Sequence, residues 1–319
     1  MPVNADKVHL WKADVAQSVD FYNAWFMRFA PKTYRNTRVN TTLQVKAALA
    51  QTANLTNISP QVLKSAPAIL PILRMVTAPP LARDRLIGLA GISPNLVKSM
   101  EIDQRLPPQL DAAALEVDLK KIGQIIKRLT DQDLFPWLDS KQKPTAVEVE
   151  RAATIVADRL CGAMADPIIR NAQEQRQLKA LKHWLEDRGY TQLRAYKGKF
   201  SEMEPGTFVF RLNLRVTQGS GTHSINIPVD AVIMPQSVKG GELPLLVEAK
   251  SAGDYTNTNK RRKEEAIKVT QLTSTYGSAI RFILFLCGYF DSGYLGYEAA
   301  EGIDWVWEHR MADLAEFGL

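Results

Sequence analysis

Near Gly189 the spacing of apolar residues changes from threes and fours to twos, and that change divides the folds open to the chain. Before it, ADVAQSVDFYNAWFMRF sets Val15, Val19, Tyr22, Phe26 and Phe29 along one helix face, widened by Phe21 and Trp25. Pro31 is expected to end that helix. TTLQVKAALAQT and LEVDLKKIGQIIKRLTD are expected to be further helices, punctuated by Pro71, Pro79 with Pro80, and Pro107 with Pro108. After the change, GTFVFRLNLRVTQ alternates Phe208, Phe210, Leu212, Leu214 and Val216, a strand with period two. INIPVDAVIMP follows with Ile225, Ile227, Val229 and Ala231 expected on one face, and LPLLVEAK begins as a buried strand.

Between these halves, DSKQKPT (139–145) is polar and nearly ends in proline, a linker dividing a helical domain, 1–140, from a second domain, 141–319. Thr145 and Glu148 form a capping-box pattern for a helix expected to reach about Met164. Asp166 and Pro167 signal a second start, for a helix ending at Gly189. TQLRAYKG is expected to be a short strand, with GSGTHS and KGGE as turns. KRRKEEAIKVTQLTSTYG is expected to be a helix ending at Gly277, AIRFILFLCGYF a buried strand, and GIDWVWEHRMADLAEF a terminal helix. The second half thus has the order helix, three strands, helix, strand, an α/β arrangement behind an α-helical N-terminal domain.

Composition removes several classes of function. Cys161 and Cys287 are far apart among apolar neighbours, and the four histidines are scattered, so neither a disulfide framework nor a zinc site follows. The N-terminus lacks a signal-peptide core and no stretch approaches the ~18–20 apolar residues of a membrane helix, so the protein is expected to be cytoplasmic, with no membrane partner. The formal charge of +6 is compatible with nucleic acid without requiring it.

The chemistry concentrates at VEAK (247–250). Residues two apart in a strand share a face, so Glu248 and Lys250 point the same way at the end of the apolar run LPLLV. Asp230 closes the preceding strand, and a hairpin brings it beside Glu248. Two adjacent carboxylates repel unless a cation lies between them, and hard oxygen donors without His or Cys favour Mg2+. Lys250 is then placed to stabilise phosphate charge or orient an attacking water.

The helix after this motif opens with Asn257, Asn259 and the run Lys260, Arg261, Arg262, Lys263, residue types that grip DNA phosphates and, for the amides, base edges. In the N-terminal half, ARDRLIGLAGISPNLVKSMEI resembles a helix-turn-helix, with Ser93, Asn95 and Lys98 as the side chains that would face DNA; an ordinary helical hairpin is the other reading.

Asp230 with Glu248-Ala249-Lys250 resembles the motif of the PD-(D/E)XK nuclease superfamily, whose core of helix, three strands, helix and strand has the order read above. Pro228-Val229-Asp230 stands where that family often has adjacent Pro-Asp. The resemblance implies a further acidic ligand from the first core helix, where Glu174 lies in line with Leu178, Leu181 and Leu185, and a supporting polar residue at Gln271. FAPKTYRNTR, ILPILRMVTAPPLARDRLIGLAGISPNLVKSME and DPIIRNAQEQRQLKALKHWLEDRGY extend the likeness to the XamI family of type II restriction endonucleases over most of the chain. That resemblance implies sequence-specific, magnesium-dependent cleavage of double-stranded DNA at a GTCGAC-type site. A palindromic target implies a homodimer, and restriction implies a cognate DNA methyltransferase encoded nearby. A structure-specific DNA repair nuclease with the same core, and a non-catalytic helix-turn-helix regulator, remain open alternatives.

Overall fold

In the computed structural model the described residues are 2–218, 223–238, 242–256 and 258–319, with the side chains of 218, 223 and 258–262 left aside. The helices are α1 (Val8–Gln51), α2 (Pro60–Ser65), α3 (Leu70–Met75), α4 (Arg83–Ala90), α5 (Pro94–Lys98), α6 (Ala112–Leu129), α7 (Trp137–Ser140) and α8 (Ala146–Glu186). There follow β1 (Thr191–Gln192), β2 (Thr207–Gln218), β3 (His223–Ile233), β4 (Leu245–Ala252), α9 (Thr258–Tyr276), β5 (Arg281–Gly288), α10 (Ser292–Ala300) and β6 (Asp304–Trp307). The protein is therefore mixed α/β, with a helical N-terminal region and one six-stranded mixed sheet.

Two compact units divide the chain, one of residues 1–29 with 170–319, the other of residues 30–169. Two helix ends expected at prolines are corrected: α1 does not stop at Pro31, and α8 does not restart at Pro167. Each proline lacks the amide that an interior helical position donates. Both prolines are exposed, so neither is fixed by packing of its own ring. The capping box at the start of α8 is formed as expected: Thr145 N donates to Glu148 Oε2 at 2.8 Å and Glu148 N to Thr145 Oγ1 at 3.2 Å.

In unit 30–169 the core gathers Leu63, Leu70 and Leu73 with Ile122 and Ile126 of α6 and Val156 of α8. The segment resembling a helix-turn-helix is α4, a left-handed Gly91 at φ +58, and α5, which lasts five residues before a π turn over Ser99–Asp103.

In the other unit the sheet order is β1-β2-β3-β4-β5-β6. β2, β3 and β4 are antiparallel, whereas β4, β5 and β6 are parallel. Parallel neighbours need crossovers, supplied by α9 and α10. One sheet face packs Leu246, Leu284 and Trp305 against Trp11 of α1, Leu272 of α9 and Leu295 of α10. The other packs Phe208, Val247 and Phe285 against Leu181 and Leu185 of α8. Helices on both faces explain why β4 and β5 are apolar almost throughout. At the end of β5, Gly288 has φ +99, and a Cβ there would lie 2.1 Å from the Ala252 carbonyl oxygen, so no larger residue fits.

One further expectation is corrected, one helix is added and one short strand is trimmed. GIDWVWEHRMADLAEF is not a helix: it contains β6 and then 3-10 turns over Glu308–Phe317. Asp304 anchors this strand by accepting from the amides of Val3, Asn4 and Ala5. DSGYLGYEAA contains α10, a helix the sequence reading passed over, capped by Asp291 accepting from Tyr294 N at 2.7 Å. TQLRAYKG contributes two residues of strand only. The turns expected at GSGTHS and KGGE fall largely outside the described residues. Among the described residues no helix is long and apolar enough to cross a membrane, and Cys161 and Cys287 are buried free thiols.

Candidate active site

The pairing of β2 with β3 passes from Phe210↔Ala231 to Leu212↔Val229, and the step between them holds Arg211 and Asp230. Arg211 has φ +56, uncommon for a residue with a Cβ. The faces exchange across this step. Val229 packs on the α9 side and Ala231 on the α8 side, although plain alternation would keep them together. Asp230 is delivered at this irregular point.

β4 meets Asp230 from the other side. The amide of Ala249, the residue between Glu248 and Lys250, donates to Asp230 Oδ2 at 2.9 Å. Leu246 packs on the α9 side, and Glu248 and Lys250 follow it with period two. Lys250 Nζ lies 3.1 Å from Glu248 Oε1. The sequence reading thus placed Asp230, Glu248 and Lys250 in one site, and the structure brings them together there.

Four side chains around them escaped that reading. Lys268 of α9 donates to Glu248 Oε2 and to the Pro228 carbonyl, both at 2.7 Å. Glu265, one turn earlier and 1% exposed, lies 3.5 Å from Lys250 Nζ. Tyr294 of α10 donates to Glu265 Oε2 at 2.6 Å. Buried Gln177 of α8 donates to the carbonyls of Lys250 at 3.3 Å and Phe285 at 3.2 Å, fixing the backbone where the lysine departs. For Glu265 and Lys268 the signal was the spacing Glu265, Lys268, Leu272 on α9. Those positions share one helix face with a fully buried leucine, so the charges on that face point inward.

The other expected residues are scattered. Glu174 is at the margin of the Leu178–Leu181–Leu185 line and pairs with Arg211 at 2.7 Å, although its charge still reaches Asp230. Lys263 is exposed and Gln271 half-buried on α9. Asn257 and the side chains of Asn259, Lys260, Arg261 and Arg262 lie outside the described residues. Ser93, Asn95 and Lys98 are exposed in the other unit, where Ser93 Oγ accepts from Asn95 N at 3.2 Å as the cap of α5.

The electrostatics follow from burial. Asp230 is pushed up to about 6, first by desolvation and then by the Glu248 carboxylate; the Ala249 amide and Lys250 oppose this without cancelling it. Burial alone would lower Lys250, but Glu248, Glu265 and Asp230 outweigh it and hold the ammonium above its ordinary value. Three carboxylates, Asp230, Glu248 and Glu265, thus face two ammonium groups, Lys250 and Lys268. Among the described residues no group of three or more His, Cys, Asp or Glu side chains is gathered as a metal-ligand set. The donor chemistry nevertheless fits a hard divalent cation: Asp230 and Glu248 offer carboxylate oxygens from adjacent strands, and the repulsion of Glu248 on the buried Asp230, second to burial in raising it, is one a cation relieves.

The family model described as XamI restriction endonuclease matches residues 53–307. The type II restriction enzyme SalI of Streptomyces albus G is 53% identical over 317 residues, covering 99% of each chain. No solved structure matches the chain. The chain belongs to the XamI restriction endonuclease family and is a type II restriction endonuclease.

Proposed function

We propose that the protein cleaves both strands of DNA with Mg2+ held by Asp230 and Glu248, in an active site of PD-(D/E)XK type, and that its target is a GTCGAC-type palindrome. The observation that carries this reading is the join between β3 and β4. The Ala249 amide holds Asp230 beside Glu248, and Lys250 shares the Glu248 face. The order α8, β2–β4, α9, β5 supports the core assignment.

A bound Mg2+ supplies Lewis acidity, neutralising charge on the phosphoryl oxygens and making the attacking water easier to deprotonate. The chain does the rest. Asp230 and Glu248, on adjacent strands, fix where the scissile phosphate rests. Lys250 keeps its proton, because its neighbours hold the ammonium above its ordinary value, so its role is to orient the water and stabilise the phosphorane-like charge rather than to accept a proton. Glu265 and Tyr294 restrain that ammonium from behind. Lys263 and, by residue type alone, the sequence stretch Asn257–Arg262 are assigned to the duplex phosphates, and Gln271 of α9 is assigned a supporting role. Ser93, Asn95 and Lys98 are assigned a secondary DNA contact, and Glu174 a place at the edge of the metal site. A two-fold symmetric target calls for a homodimer, and a host carrying this enzyme needs a cognate methyltransferase.

Incubating the protein with plasmid and Mg2+, then sequencing the fragment ends, tests the reading. Discrete ends at one palindrome are expected, with none from Asp230→Ala or Lys250→Ala. Undiminished cutting by either variant overturns the assignment of the site.

A further inference from the structure

Glu248 has an ammonium on each of its two oxygens, Lys250 on Oε1 at 3.1 Å and Lys268 on Oε2 at 2.7 Å. A carboxylate so occupied has to give up at least one partner before it can serve a metal ion. The second partners of the two lysines differ. Lys250 also faces the buried Glu265 carboxylate, itself held by Tyr294, and so retains an anion when it leaves Glu248. Lys268 has the neutral Pro228 carbonyl as its other acceptor. That carbonyl lies two residues before Asp230 on β3, so Lys268 ties the strand bearing one carboxylate to the carboxylate on the next.

We infer that Lys268 is a tethered counter-ion: it occupies Glu248 while the site is empty and competes with the divalent cation for that carboxylate, setting the affinity with which the cation is bound. The inference rests on the reading of Asp230 and Glu248 as the metal-holding pair. Two effects oppose each other. Removing Lys268 loosens Glu248, which weakens binding. It also removes a positive charge at hydrogen-bond distance from the ligand oxygen, which strengthens it. The charge effect dominates, because it acts on a doubly charged ion in a largely buried site, while Lys250 still orients Glu248 from the other oxygen. Lys268 is thus a positioning residue that keeps the two strands in register and prevents the carboxylates from taking up a cation until the ion, or ion with substrate, displaces the ammonium.

The experiment is a titration of Mn2+ into metal-free full-length protein without DNA, following the free-ion electron paramagnetic resonance signal, for the wild type, Asp230→Asn, Lys268→Gln, Lys268→Met and Lys268→Arg. Lys268→Gln keeps a donor for the Pro228 carbonyl, which protects the strand contact if the methionine variant fails to fold. The expected dissociation constant is roughly tenfold lower for Lys268→Gln and Lys268→Met than for the wild type. Lys268→Arg should stay near the wild-type value and Asp230→Asn should bind more weakly. If Asp230→Asn weakens binding while Lys268→Gln is no tighter than wild type, the counter-ion role is overturned and the metal site stands. If Asp230→Asn binds as tightly as the wild type, the metal site itself is overturned and the inference falls with it.

Discussion

The carboxylate of Asp230 accepts the amide hydrogen of Ala249 at 2.9 Å, and Ala249 is the residue between Glu248 and Lys250. One hydrogen bond therefore sets the distance between the acid on β3 and the two charged groups on β4. Being a backbone contact, it survives changes of any other side chain in the site. Asp230 is thus placed by the fold rather than by the charges it works with.

Asp230→Asn separates that placement from the charge. Asparagine keeps a carbonyl oxygen for the Ala249 amide, so the strands stay joined, while the negative charge is lost. Cleavage is expected to fall by about 10²–10³-fold or more, the scale of several kcal/mol of transition-state stabilisation. Circular dichroism should be unchanged. Cleavage within tenfold of the wild type would remove Asp230 from the chemistry.

The same substitution should stabilise the metal-free protein. Asp230 titrates near 6 in the folded state, above the carboxylate's ordinary value of 3.8. A raised acid contributes stability that is fully present below its unfolded value and is lost as pH rises through the folded one. At pH 8 the ionised Asp230 therefore opposes folding, on the order of 2–3 kcal/mol. Urea unfolding in chelator should find Asp230→Asn more stable than wild type at pH 8, with the gap closing by about pH 4. A gap that is absent at pH 8 would show that the carboxyl is not perturbed.

Tyr294→Phe tests the support behind Lys250. The phenol donates to Glu265 Oε2 at 2.6 Å in a buried setting, and burial together with Glu265 and Glu298 holds its own ionisation far above the ordinary range. Phenylalanine leaves the ring packing against Phe290 and removes one donor from a buried carboxylate. Such a loss costs about 1–3 kcal/mol, measurable by denaturant unfolding. A stability change below about 0.5 kcal/mol would mean that Glu265 has another donor ready.

The sequence showed the core triad because strand chemistry has a period of two. Once LPLLV is read as a buried strand, Glu248 and Lys250 must share a face, and a preceding strand ending near Asp230 completes the set. Glu265 and Lys268 stayed hidden because helical spacing says which residues share a face but not which neighbour the face meets. Only the packing of Leu272 into the sheet tells α9 apart from a solvated basic helix. The exchange of faces at Arg211 and Asp230 was also illegible. Alternation predicts one continuous face for Val229 and Ala231, and a positive φ at an arginine has no signature in composition. The WVW of β6 lies within GIDWVWEHRMADLAEF, a stretch expected to be one helix, in which only the part after Trp307 turns. The four residues of β6, Asp304 to Trp307, are all buried although β6 is the sheet edge, because Asp304 binds the amides of Val3, Asn4 and Ala5 and Trp305 packs against Trp11.

The two prolines taken as helix ends give the last prediction, because both helices run through them. Inside α1, Pro31 offers no amide to the carbonyl of Met27; inside α8, Pro167 offers none to that of Ala163. A proline in a helix interior is worth about 3 kcal/mol less than alanine. Part of that is offset because proline also restricts the unfolded chain, by about 0.4–1 kcal/mol. Both side chains are exposed, so alanine fills no packed space and leaves no cavity. Pro31→Ala and Pro167→Ala are each expected to raise stability to urea by about 2 kcal/mol. Destabilisation by either change would mean that the helix is interrupted at that proline, and that the sequence signal for a stop was right.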